Sequence, residues 1–217
     1  MERWATFDCY GTLIDWNGGI RRELARTFGE DRADRLLRRY HELEPGLEAD
    51  GELSYREVMT RALERLAEEE GADLDDPTAL AGSLPSWEPF PEVHGSLEEA
   101  RARGWRLAIL SNTDPDYIAA SKERIGVQFD ETVVASEIGS YKPAHGHWEE
   151  FFRRTGADRA GHVHVAASLF HDIGPANELG MPSVWINRLG ESPGPRPDRE
   201  LPDLNGLADV LDELVAP

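Results

Sequence analysis

Cysteine is nearly missing from this chain. Cys9 is the single one in 217 residues, which excludes an internal disulfide framework and a cysteine-built zinc site. Beside a buried strand end, a lone cysteine reads as a small packing residue. Lysine is scarce as well. Lys122 and Lys142 are the two present, and arginine supplies the rest of 23 basic residues against 42 acidic ones. The net charge of −19 argues against nucleic acid and anionic membranes as partners. A site for a small anion would need locally placed cations. No apolar run reaches membrane-spanning length, and the first residues lack the basic-then-apolar pattern of a secretory signal. A cytoplasmic protein is therefore the expectation. The pairs His145 with His147 and His162 with His164 sit at alternate positions, which share a face of a strand. Without cysteines or clustered acids around them they read as structural or surface histidines, and no metal site is assigned.

What the chain does have is enough apolar residue, 40% against 30% charged, to build a packed core. The stretch Trp4-Ala5-Thr6-Phe7-Asp8-Cys9-Tyr10-Gly11-Thr12 reads as a short buried strand ending in a carboxylate, followed by turn residues. Residues 18–85 contain no strand-like stretch. Ile20, Leu24, Ala25 and Phe28 fall on one helical face, and Leu36, Leu37, Tyr40 and Leu43 on a second. Val58, Ala62, Leu63 and Leu66 form a third, introduced by the capping box Ser54-Tyr55-Arg56-Glu57. The charged positions between these stripes read as solvated faces. After the proline-bearing Trp87–Pro91 segment, strand and helix patterns alternate. Strands are expected at 106–112, 131–136, 162–168 and 183–188, helices at 97–103, 116–125, 147–154, 173–179 and 207–214, and a proline-rich loop over 192–202. Alternation of this kind predicts an α/β fold, a Rossmann-like parallel sheet interrupted by an inserted helical subdomain. The core is expected over 1–15 and 91–217, and the insertion over 16–90.

In a parallel sheet the carboxyl ends of the strands lie on one edge, where ligands bind. That edge collects Asp8, Tyr10 and Thr12 from the first strand, and Ser111 and Asn112 from the second. Lys142 of Ser140-Tyr141-Lys142-Pro143 comes from the loop after the third, and Ser168 and Asp172 from the fourth. A carboxylate can form a covalent ester that water later cleaves, and a nearby lysine would keep two carboxylates ionised and oriented.

These four motifs, in this order, resemble the haloacid dehalogenase superfamily, in which the inserted helices form a cap over the active site. Most of that superfamily are magnesium-dependent phosphatases. They carry a second Asp two residues after the nucleophile and another directly before the motif-four Ser. Here those positions hold Tyr10 and Ala167. The segment Phe7–Asp15 instead resembles the 2-haloacid dehalogenase branch, which works without metal or cofactor and needs no general acid, since a halide leaves without protonation. The resemblance implies Asp8 as nucleophile, and Asp172, positioned by Lys142, as the group that orients or activates water. Tyr10, Thr12, Ser111, Asn112 and Ser168 would hold the nucleophile and a small anionic organic substrate. Arg39 of the cap would bind the departing halide. Two positions depart from the branch. Leu169 stands for its usual Asn and Trp148 for its usual Tyr, which points to a bulkier or smaller substrate than chlorinated propionates, such as fluoroacetate. Trp16, Trp87, Phe90 and Trp148 are candidates for an apolar pocket wall. The resemblance also leaves a homodimer open. The alternative readings are a small-molecule phosphatase using Mg²⁺, and a catalytically idle relative that binds an anion or a partner.

Overall fold

The computed structural model describes residues 2–49, 53–192 and 194–216. Strand β1 (Arg3–Phe7) is buried along its whole length, as a central strand of a sheet covered on both faces is. It pairs in parallel with β2 (Trp105–Ser111) on one side and with β4 (His162–Ala166) on the other. Beyond β2 lies β3 (Glu131–Val134), and beyond β4 lie β5 (Ser183–Ile186) and β6 (Arg199–Leu201). The sheet order is β3-β2-β1-β4-β5-β6, and every pairing is parallel. The chain runs outward to opposite sides of β1, so the ends of β1, β2 and β4 flank the point where the order reverses, the usual ligand crevice of such sheets.

Between β1 and β2 the chain builds the helical cap: α1 (Trp16–Phe28), α2 (Glu30–Glu48), α3 (Tyr55–Glu70) and α4 (Ala79–Ser83). Asp15 caps α1 by accepting from the Gly18 amide at 2.9 Å. The Ser54–Glu57 capping box starts α3 as its sequence predicts. Gly19 lets α1 rest on Trp87, since a Cβ there would come within 2.3 Å of the indole ring. The cap is tied to the core through Asp114, whose carboxylate oxygens accept from the backbone amides of Tyr55 and Arg56 at 3.1 and 2.9 Å. A core carboxylate thus satisfies the first turn of a cap helix, where free N–H groups favour negative charge.

The core helices α5 (Val93–Ala102), α6 (Pro115–Ile125), α7 (Ala135–Ile138), α8 (Gly146–Thr155), α9 (Gly174–Glu178) and α10 (Leu207–Leu214) complete the layers. Two expectations are corrected. The 131–136 strand stops at Val134, and Ala135 opens a helical turn. The proline-rich stretch is not all loop. Residues 199–201 add the edge strand β6, which pairs with β5 through backbone bonds that its mostly exposed side chains do not advertise. Among the described residues, no helix is long and apolar enough to cross a membrane.

Candidate active site

Asp8 follows the last residue of β1, and Gly11, at φ +89°, turns the chain back over it. The turn brings the Thr12 hydroxyl to donate to Asp8 Oδ2 at 2.8 Å, while the same hydroxyl accepts from the Ala167 amide at 2.9 Å. Lys142 Nζ lies between the two catalytic candidates. It donates to Asp8 Oδ1 at 2.9 Å, to Asp172 Oδ1 at 2.7 Å and to the Leu110 carbonyl at 2.9 Å. An ammonium has three donors, and all three are used. Asn112 fixes the lysine's backbone by accepting from its N–H at 2.7 Å and donating to its carbonyl at 3.0 Å.

Burial sets the charges here. Desolvation pushes the Asp8 carboxyl above its ordinary value, and Lys142 and Thr12 pull against that shift. Burial would also raise Asp172, but the Lys142 charge and a hydrogen bond from His164 outweigh it and hold the carboxyl below the usual carboxylate range. Burial alone would depress Lys142, yet Asp172 and Asp8 together keep it above its ordinary value.

His164 was not among the expected site residues. Its Nε2 donates to Asp172 Oδ1 at 3.0 Å. Its Nδ1 meets the Thr6 hydroxyl at 2.8 Å, and that hydroxyl meets His162 Nε2 at 2.8 Å. The chain of bonds runs through the sheet from β4 to β1 and ends on Asp172. The pattern His162-x-His164 was visible in the sequence. What gives it meaning is Thr6 standing in register beside His164 on the neighbouring strand.

These groups form the floor of a cavity of about 570 Å³ between core and cap. Asp8, Tyr10, Ser111, Asn112, Lys142, Ser168 and Asp172 all line it. Ser111 Oγ and Asp172 Oδ2 are buried and have no hydrogen-bond partner among the described residues. Tyr10 is held away from acid duty. Its hydroxyl pairs with Ser121 at 3.0 Å, and burial drives its pKa well above the ordinary value. Ser168 closes the turn before Asp172 by accepting from the His171 amide at 3.0 Å.

Arg39 is not brought to this cavity. It sits on the outward side of α2, where its guanidinium pairs with Glu69 and with Glu42, each at 2.8 Å. Its neighbour Tyr40 points inward instead, fully buried, because one residue turns a helix face by about 100°. Of the expected aromatic wall, Trp16 and Phe90 line the cavity. Trp87 and Trp148 are core residues, and Trp148 packs edge-on to His164 at 5.2 Å. Leu169 does line the cavity. Cys9 is buried packing, its thiol pushed up by desolvation. Besides His164, sequence reasoning missed Glu44 and Glu48, buried on α2 and part of the wall. They continue the four-residue stripe of Leu36 and Tyr40, the one signal that marked them.

The donor set does not fit Mg²⁺, which takes six oxygens in near-octahedral array. Lys142 occupies one oxygen of each carboxylate, and Tyr10 and Ala167 add no further carboxylate. Among the described residues no group of three His, Cys, Asp or Glu is placed to share an ion.

A family model described as haloacid dehalogenase-like hydrolase matches residues 3–180. The chain belongs to that family. This haloacid dehalogenase-like hydrolase is 31% identical over 216 residues to the (S)-2-haloacid dehalogenase of Pseudomonas sp. (strain YL), a match covering 95% of this chain and 93% of the relative. It is 28% identical over 218 residues to haloacetate dehalogenase H-2 of Moraxella sp. (strain B), covering 94% and 96%. Among solved structures, an L-2-haloacid dehalogenase superposes with a TM-score of 0.86 at 22% identity, covering 97% of this chain and 98% of the other. That likeness establishes the shared fold, a parallel sheet under a helical cap.

Proposed function

We propose that this hydrolase cleaves the carbon–halogen bond of a small 2-halogenated organic compound, through an ester on Asp8 and without a metal. The observation that carries the reading is the Asp8–Lys142–Asp172 bridge on the cavity floor, combined with the absence of a free acid at position 10. One carboxylate oxygen of Asp8 attacks the carbon bearing the halogen. The new C–O bond forms as the C–X bond breaks, and the halide leaves with the electron pair. Such a leaving group needs no proton, which suits a site where Tyr10 is tied to Ser121. Water then attacks the carboxyl carbon of the ester, and Asp172 accepts its proton. The acyl C–O bond then breaks, the departing alkoxide takes the proton of the added hydroxyl, Asp172 gives up the other proton to solvent, and the Asp8 carboxylate is regenerated as the hydroxylated product departs with the configuration at the reacting carbon inverted. Lys142 holds both carboxylates in reach of each other throughout. His164 keeps Asp172 oriented for the second step.

The test is a single turnover in ¹⁸O-water with enzyme in excess over 2-chloropropionate, in EDTA. The ester route puts ¹⁸O into the Asp8 carboxylate, read by peptide mass spectrometry, and leaves the first-turnover product unlabelled. Label in the product instead would mean direct attack by water. Asp8→Asn removes halide release altogether on this reading, and a variant retaining the wild-type rate would refute it.

A further inference from the structure

Trp4, Thr6 and Asp8 stand at alternate positions of β1 and its end, so they share one face of the sheet. His162 and His164 do the same on β4, with His164 in register beside Thr6 and His162 beside Trp4. Helix α8 packs Trp148 against His164 and Phe151 against His162. Thr6, His162 and His164 are fully buried in this layer. The Thr6 hydroxyl lies between the two imidazoles, 2.8 Å from His162 Nε2 and 2.8 Å from His164 Nδ1, and His164 Nε2 lies 3.0 Å from Asp172 Oδ1. Three polar side chains thus line up through an apolar layer and end on the group that activates water.

A hydroxyl has one proton to donate, so the line runs in one of two directions. Asp172 is held below the usual carboxylate range, chiefly by Lys142 against its own burial, and as a carboxylate it only accepts. His164 Nε2 is therefore the donor. If Thr6 donated to His162, His164 Nδ1 would need a second proton, which would bury another cation beside Lys142, and burial disfavours the charged ring. His162 would then carry its hydrogen on Nδ1, which is buried and has no partner among the described residues. If Thr6 donates to His164 Nδ1 instead, both rings carry their hydrogen on Nε2. Every donor then has an acceptor, and the atom left over is a bare lone pair on His162 Nδ1. An under-used buried acceptor is commoner than an orphaned N–H. Burial also drives His162 toward the neutral form, down to about 3.

Lys142 and His164 both donate to Asp172 Oδ1. Oδ2 is buried, belongs to a residue that lines the cavity, and has no partner among the described residues. The other titratable groups nearby are turned elsewhere. Asp8 meets Lys142, His171 Nδ1 lies 3.1 Å from the Ser168 hydroxyl, and His147 of α8 donates from Nε2 to the Ser111 carbonyl at 3.0 Å. At the far end of the line Arg159 lies over the Phe152 ring, and Ser183 of β5, in register with His164, carries no charge.

We propose that Thr6 and His162 are positioning residues for hydrolysis of the ester: with His164 they form a one-way line of hydrogen bonds that keeps a donor on Asp172 Oδ1 and leaves Oδ2 to take the proton from water. The identity of that step rests on the dehalogenation reading. Displacement of halide by Asp8 makes no use of the line, because Asp172 takes no proton in it.

Two measurements test this. Long-range ¹H–¹⁵N NMR of the histidine rings, on the intact wild-type protein at pH 8, shows both His162 and His164 as the Nε2–H tautomer. A hydrogen on Nδ1 of either ring overturns the proposal. Rapid-quench kinetics with 2-chloropropionate then compare wild type, Thr6→Val and Thr6→Ser. Thr6→Val releases a burst of about one equivalent of halide and accumulates the Asp8 ester, seen by intact-protein mass spectrometry. Its steady-state turnover is about ten-fold slower than wild type. Asp172 then keeps its proton to higher pH, so the acid limb of kcat moves up. Thr6→Ser, which keeps the hydroxyl, restores the rate and the limb. Wild-type turnover in Thr6→Val overturns the proposal, and so does slow turnover with no accumulated ester and an unmoved limb, the mark of a merely structural threonine. No halide release from the wild type overturns the dehalogenation reading instead, while the ring tautomers still decide the direction of the line.

Discussion

Replacing Lys142 with Met leaves two buried carboxylates facing each other with their shared counter-charge gone. The lysine side chain is 1% exposed, as is that of Asp172, and Asp8 is 12% exposed at its side chain. Met fills most of the volume of the aliphatic stem, so the perturbation is mainly electrostatic. Removing one member of a buried ion pair costs about 3–5 kcal/mol, and here one ammonium serves two partners. At pH 8 the expected loss of unfolding free energy is therefore about 4 kcal/mol. The pH dependence gives the sharper test. In the wild type, Asp172 has a folded pKa below its unfolded one. Its contribution is present above the unfolded value and lost only as pH falls through the folded one. In Lys142→Met the folded carboxyl pKa rises above the unfolded value instead. The folded variant then holds a proton the unfolded chain releases, and its stability falls as pH rises. The wild-type advantage should be large at pH 8 and shrink toward pH 5. Urea denaturation of both proteins at the two pH values measures this. Groups that do not feel Lys142, Glu44 among them, cancel in the difference to first order, while Glu48, which the Lys142 charge lowers, shifts in the same sense as the two acids. A loss below about 1 kcal/mol at pH 8, or one that does not change with pH, would refute the placement of Lys142 between the two acids.

His164→Gln removes the imidazole donor that helps hold Asp172 down, so the acid limb of the kcat profile moves to higher pH and the rate falls by about ten-fold; an unmoved limb would detach His164 from Asp172. Glu48→Gln acts on stability with the opposite pH sense to Asp172. Because the folded pKa of Glu48 is raised to about 9, the wild type loses stability as pH climbs from the ordinary glutamate value toward 9. The variant's relative stability therefore rises over that window by up to about 1.4 kcal/mol per pH unit, and a flat difference in thermal melts from pH 6 to 9 would contradict the buried placement. Arg39→Ala leaves halide release within about two-fold of wild type, since the guanidinium faces Glu69 and Glu42 rather than the cavity; a severe loss would return Arg39 to the site.

Local rules made much of this molecule legible. The run ending at Asp8 is apolar and β-branched, and it forms a strand buried on both faces. Ser54 and Glu57 announce the start of α3 because a capping box is a contact within four residues. The motif residues on successive strand ends meet because parallel strands place their carboxyl ends together. Strand β6 stayed hidden for the converse reason. Two exposed residues and a half-buried leucine in a proline-rich stretch carry too short a side-chain pattern, and their strand state comes from backbone bonds to β5.

The chain by itself determined the α/β class, the helical insertion and the list of carboxylates and lysine that could do chemistry, because periodicity and strand-end position are local properties. Tertiary structure decided which way α2 is rolled. That roll sends Arg39 out to Glu69 and turns Tyr40, Glu44 and Glu48 inward, a choice set by packing against α1 and α3 rather than by the helix's own sequence. It also decided that His164, unremarkable as a residue on a strand, reaches Asp172 across 3.0 Å. A side chain's charge is written in the sequence, but its partner is fixed only when distant strands and helices are brought side by side.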